Sequence, residues 1–203
     1  MGLYIRPNSR QIPSFNEYTS DKKYLDIMYG YLQTISLPGR DGIRYVKALD
    51  INATKLGKEL GMTRQTAGKY FINLQELLLV GAKEDGKYEL TFIGEEFAYL
   101  VPNDVLELLV STKMPHIISM YVFFCVLSYN RPKIEYALNA VKGFIGIAMN
   151  TYSNSYIVTD ALDKLQEIGL LKHDEFKTNE NGQWKSQKIV TNVVNGIGEN
   201  NEL

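Results

Sequence analysis

The alternation of apolar and polar positions predicts the order of elements along the chain. From Asp21 to Ser36, Tyr24, Ile27, Met28, Tyr31, Leu32 and Ile35 recur at helical spacing, and LPGRDG ends that helix. Ile43 to Val46 predicts a short strand. Asn52 is placed to cap a helix over ATKLGKEL, and Gly61 supplies the left-handed turn that closes it. Thr63 caps a longer helix expected to reach Leu79. At about 100° per residue, Ala67, Phe71, Leu74 and Leu78 make its buried face, while Gln65, Thr66, Lys69 and Asn73 point outward. VGAKEDGKYELT then reads as two strands turning at Asp85-Gly86.

The second half repeats the first. MYGYLQTIS from Met28 recurs as MYVFFCVLS from Met120, an offset of 92, and LQELLLV from Leu74 recurs as LQEIGLL from Leu165, an offset of 91. Two matches at nearly one offset mean a duplicated unit. The second unit is therefore expected to have helices near 116–128, 137–148 and 154–168, then a hairpin of LLKHDEF and QWKSQKIVTNVV with KTNENG at its tip. On the third of these helices Val158, Ala161, Leu162, Leu165 and Ile168 form the buried face, and Tyr156, Asp160, Asp163 and Glu167 the exposed one. The join from Phe92 to Asp104 carries Phe97, Tyr99, Leu100 and Val101 at helix-like spacing before Pro102 stops the pattern, so the units are expected to be held together rigidly. The expected organisation is a polar arm at 1–20, units at 21–101 and 102–194, and a polar tail at 195–203.

Two short helices about a glycine turn, followed by a hairpin, make a winged helix-turn-helix. The chain resembles bacterial winged-helix DNA-binding proteins in three places. These are Leu56-Gly57-x-x-Leu60-Gly61, the Thr63-Arg64-Gln65-Thr66 opening of the second helix, and the Leu-Thr-x-x-Gly exit from Leu90 to Gly94. The expected fold class is thus α+β, mostly helical, with two such units in tandem. Tandem winged helices resemble plasmid and phage replication initiators, in which two units act as a pseudo-dimer on repeated origin sites; a small transcriptional regulator fits equally. The resemblance implies sequence-specific, non-catalytic binding of double-stranded DNA. The alternative is a tandem winged-helix scaffold that binds protein, since adaptors of chromosome-organising complexes use the same helices that way.

Charge limits where DNA could be held. Lys and Arg number 22 against 23 Asp and Glu, for a net charge of −1, so binding must come from local patches. The outward face of the first unit's long helix, Gln65, Thr66, Lys69 and Asn73, offers groups that read base edges and phosphates, with Arg64 at its start. Lys55, Lys58, Lys83 and Lys87 would flank it, the last two from the hairpin. In the second unit Asp160, Asp163 and Glu167 would repel phosphate. That leaves Ser153, Asn154, Ser155 and Tyr156 at the helix start, and the hairpin lysines Lys177, Lys185 and Lys188, compatible with DNA. The acidic face suits a second copy of the chain or another protein. Arg6 and Arg10, in the arm, could reach a minor groove, though an arm packed on the body or without fixed structure is the first expectation.

No catalytic motif stands out. His116 and His173 are distant, no Cys/His spacing suits zinc, and no phosphate-binding glycine loop lies between strand and helix, so neither enzyme activity, metal nor cofactor is expected. Cys125 stands alone in an apolar run and reads as core. That run, Ile117 to Leu127, is about half of a membrane span. With no apolar signal region near Met1, the expected compartment is the cytoplasm.

Overall fold

Residues 9–13, 23–39, 43–91, 98–146, 155–180 and 183–194 are described by a computed structural model, with the backbone alone at 98, 178–180 and 183–185. The protein is α+β: among the described residues, helices stand beside three small antiparallel sheets. The chain divides into units of 1–118 and 119–203, a boundary further along than the expected 101/102.

In the first unit, β1 (Ser9–Pro13), α1 (Leu25–Ile35), β2 (Leu37–Pro38) and β3 (Arg44–Lys47) precede a helix pair, α2 (Ala53–Leu60) and α3 (Arg64–Glu76). The hairpin β4 (Val80–Glu84) and β5 (Lys87–Leu90) follows, then β6 (Ala98–Pro102) and α4 (Asn103–Ser111). The core gathers on α1, where Leu25, Ile27, Met28, Tyr29 and Leu32 have no exposed surface. Burial favours pairing of polar groups there: Asp26 Oδ1 accepts from the Ile27 amide at 2.8 Å and from the His116 amide at 3.3 Å. Gln33 donates to the Tyr29 hydroxyl at 3.0 Å, one helical turn away. Gly30 lets the α1 backbone come close to its neighbours: a Cβ there would collide with Ile118 Cδ1 and crowd Leu106 and Val110 of α4.

The second unit takes most of α5 (Ile117–Ser128), then β7 (Lys133–Tyr136), α6 (Leu138–Phe144), α7 (Ser155–Glu167), β8 (Lys172–Glu180) and β9 (Gln183–Thr191). Its element order repeats α1, β3, α2, α3, β4 and β5. The sheets repeat too, β3-β5-β4 against β7-β9-β8, each with its last strand in the middle. Met28–Ser36 and Met120–Ser128 fall at the same helix, and Leu74–Val80 and Leu165–Leu171 at the same helix end. Both α3 and α7 have 13 residues, starting 91 positions apart at 64 and 155. Phe124 meets Tyr136 edge-on at 5.3 Å, and burial pushes the Cys125 thiol up to about 12. That cysteine stays a protonated core residue.

Local signals mark their elements well. Asn52 accepts from the Lys55 amide at 2.8 Å, Gly61 takes φ 66, and Thr63 accepts from the Thr66 amide at 3.1 Å. Asp85 and Gly86 both have positive φ (46 and 74), the requirement of a tight two-residue hairpin. Other expectations need correction. Within the expected join, Ala98–Pro102 is not helical: it forms β6, because it pairs with β1, and Pro102 then opens α4, which the sequence reading had missed; residues 92–97 lie outside the described residues. The first-unit arm is thus tied down over Ser9–Pro13 as a strand. The second hairpin has no long tip, since β8 and β9 stay paired as far as Glu180 and Gln183. Finally, α3 stops at Glu76, leaving Leu78 65% exposed, while Tyr70 takes the buried place and meets Tyr24 edge-on at 5.3 Å. Ile168 is half-buried rather than core. Arg6, Phe97 and the tail from 195 lie outside the described residues.

The end of α3 explains why Leu78 leaves the core. The Leu79 amide donates to Leu74 O and the Leu78 amide to Gln75 O, both at 3.0 Å, a reverse turn that needs left-handed backbone at Leu78. Leu78 has φ 57; in the second unit Gly169, with φ 77, holds the same place between Gly169→Gln166 and Leu170→Leu165 bonds. A branched residue is strained there, and its side chain recovers little burial. Leu78→Gly is therefore expected to stabilise the protein by about 1 kcal/mol, read as a higher denaturation midpoint. An unchanged or lower midpoint would show that Leu78 packs in a way its exposure hides.

Candidate functional site

The outward side of α3 follows from which side is buried. Ala67, Tyr70 and Leu74 face the core, so Arg64, Gln65, Lys69, Ile72 and Glu76 emerge on the opposite side. Thr66 and Asn73 are half-buried at its margin, and the Thr66 hydroxyl lies 2.8 Å from that of Thr63. The Lys69 ammonium sits 5.5 Å from the ring of Tyr70. α2 packs against α3, and a Cβ on Gly68 would stand at ordinary contact distance, 3.6 Å, from the Ala53 methyl. Lys58 is exposed on α2, whereas Lys55 is ion-paired with Asp50 at 3.3 Å.

The hairpin divides its lysines between two faces. Lys83 lies across from Tyr88, whose ring meets Phe71 of α3 at 5.2 Å, so Lys83 is on the helix side. Lys87 is directly opposite Lys47 on the other face, and its ammonium lies 4.5 Å from the Tyr45 ring. Like charges placed opposite each other are locally unfavourable, and they concentrate positive potential. Lys47 is a member of this group that sequence reasoning missed. The signal was present: with Val46 buried, strand alternation turns Tyr45 and Lys47 outward. Leu49 was missed too. It is 92% exposed and lies in a short turn that the Ala48 amide ties to Gly86 O at 2.8 Å, beside the hairpin tip.

In the second unit the same places carry different chemistry. Asp160, Asp163 and Glu167 are exposed along α7, and Tyr156 is 59% exposed in its first turn. Ser155, half-buried, accepts from the buried Lys142 ammonium at 3.0 Å. Several of this unit's lysines are paired with carboxylates: Lys133 with Glu135, Lys164 with Glu167, Lys172 with Asp174, and Lys188 with Glu175. Lys177 is exposed on β8; Ser153, Asn154 and the side chains of Trp184 and Lys185 lie outside the described residues. The structure thus places Gln65 and Lys69 on the outward side of α3 and Lys83 on the helix side of the hairpin. It turns Lys87 to the other face, pairs Lys55 with Asp50, and leaves Lys188 of the second unit neutralised by Glu175.

Glu175 shows that neutralisation directly. The Lys188 ammonium donates to its carboxylate at 2.6 Å and the Ser186 hydroxyl to its other oxygen, and these two bonds hold the carboxyl below the ordinary glutamate range. A lowered folded-state value means that the pair's contribution is present above the unfolded glutamate pKa and lost as pH falls through the folded one. The group is exposed, so the contribution to stability is small. Carboxyl NMR titration should place the Glu175 midpoint below that of an ordinary glutamate, and Lys188→Ala should raise it. A midpoint that does not move would rule out the pairing.

Among the described residues no helix is long and apolar enough to cross a membrane, and no group of three or more His, Cys, Asp or Glu is placed to hold a metal. Neither the comparison with protein-family models nor the search of curated proteins finds a match for this chain.

Proposed function

We propose that the chain is a non-catalytic, sequence-specific double-stranded DNA-binding protein built from two winged helix-turn-helix units, in which the first unit reads the DNA. The observation that carries this reading is the first unit's polar helix face: Arg64, Gln65 and Lys69 project from α3, with Lys58 on the preceding helix, Lys83 on the helix side of the hairpin, and Lys87 of the hairpin beside Lys47 of β3 on the other face. An α-helix fits the major groove, amide and cationic side chains match base edges, and flanking lysines match phosphates. The repeated element order supports a pseudo-dimer in one chain, as suits a plasmid or phage replication initiator or a transcriptional regulator acting in the cytoplasm. The direct test is retention of fragmented source DNA, sequencing of what is kept, and titration against salt. Affinity should fall steeply and linearly in log–log form as phosphate contacts release counterions. Indifference to salt, or no enriched sequence, would count against it.

A second reading has its own observation. The exposed Asp160, Asp163 and Glu167 of α7 suit a basic protein surface or a second copy of this chain better than phosphate. On this reading the second unit serves protein contact, and in the limit the whole chain is an interaction scaffold.

A further inference from the structure

Ile72 is out of place on α3. It is 53% exposed, in the middle of the face directed away from the core. At about 100° per residue it stands roughly 160° from the buried Leu74 and about 20° from Gln65. Lys69 precedes it by one turn, Asn73 is adjacent, and Glu76 follows one turn later. A lone exposed apolar residue on a protein surface is ordinary. A branched apolar residue at the centre of a hydrogen-bonding face is a chemical feature, because it can neither donate nor accept where its neighbours do both.

We infer that Ile72 recognises a thymine, by packing on the 5-methyl group that this base alone projects into the major groove. The inference rests on the DNA-binding reading of α3. Apolar side chains distinguish thymine there by contact with its methyl, while Gln and Lys answer to hydrogen-bonding edges. Spacing gives the position. Seven residues at about 1.5 Å each separate Gln65 from Ile72 by about 10 Å, a span over which a helix in the major groove reaches about three successive base pairs. The thymine is therefore expected about two base pairs from the base that Gln65 contacts. Glu76, an acid one turn beyond, marks where the helix leaves the phosphates.

The test uses the full chain and the DNA site recovered by retention and sequencing. Each thymine is replaced singly by deoxyuridine, which removes only the methyl. At one position the substitution should weaken the unaltered protein about fourfold, the weight of one buried methyl. Ile72→Ala, a change that favours the helix, should bind the thymine and uracil versions of that position equally. Ile72→Val should keep part of the preference. If no thymine is sensitive, or if Ile72→Ala keeps the same preference, the inference is overturned while DNA binding stands. If no DNA is retained at all, the reading of α3 fails with it.

Discussion

Leu74→Ala and Leu165→Ala should each destabilise the helix that carries them by about 2–5 kcal/mol. Both leucines have no exposed surface, and they occupy the same place in α3 and α7. Each also accepts, through its backbone carbonyl, the bond that closes its helix: Leu79→Leu74 and Leu170→Leu165. Truncation leaves a cavity beneath that turn, and the surrounding residues relax only in part. Native-state hydrogen exchange reads the two places separately, through the amides of α3 for one variant and of α7 for the other. Loss of protection in both would show that the duplicated LQE segments anchor equivalent cores. A change below about 1 kcal/mol at either leucine would show that the repeat in sequence is not a repeat in packing.

Local chemistry was legible where one residue type decides one geometry. Asn52, Thr63, Gly61 and the Asp85-Gly86 pair each marked a cap or turn, and the structure places each in that role. The repeat was legible because a duplicated core keeps its apolar spacing. What escaped was decided by partners distant in sequence. Nothing in Ala98–Pro102 announces a strand until Ser9–Pro13 lies beside it. Tyr70 was absent from the expected buried face, and its burial rests on Tyr24, a partner far earlier in the chain. The end of α3 was misread because Leu78 continues the apolar period, while the backbone there takes the turn that Gly169 takes more readily in the second unit.

The candidate site was legible for its residue types and less so for their pairing. Gln65 and Lys69 stand on the outward face as the helical period requires. Periodicity gave no hint that Lys188 would be held by Glu175, or that Lys55 would be held by Asp50. It did not separate Lys83 from Lys87, which the strand register puts on opposite faces. A cation in a sequence is a charge, and only the fold says which carboxylate already holds it.

On the proposed reading the two units respond oppositely to substitution. Gln65→Ala and Lys69→Ala should each weaken binding to the selected site by about 1–3 kcal/mol, with Gln65→Ala relaxing preference at one base pair. Lys83→Ala should instead weaken binding to every sequence alike and lower the salt slope by about 1. In α7, Asp160 and Glu167 lie a turn on either side of Asp163, so a groove would bring all three near phosphate, and like charges at close range repel even when partly screened. Asp160→Ala is the cleaner substitution there, because Asp163 also lies 3.7 Å from His173 Nδ1. It should leave DNA affinity unchanged or raised, and should weaken self-association or the binding of a basic partner. Gel-shift titration and sedimentation of the same samples read the two effects together. Unchanged affinity after Gln65→Ala and Lys69→Ala would remove α3 as the reader. A loss of DNA affinity in folded Asp160→Ala protein, with its oligomeric state unaltered, would show that α7 meets DNA along the face assigned here to protein.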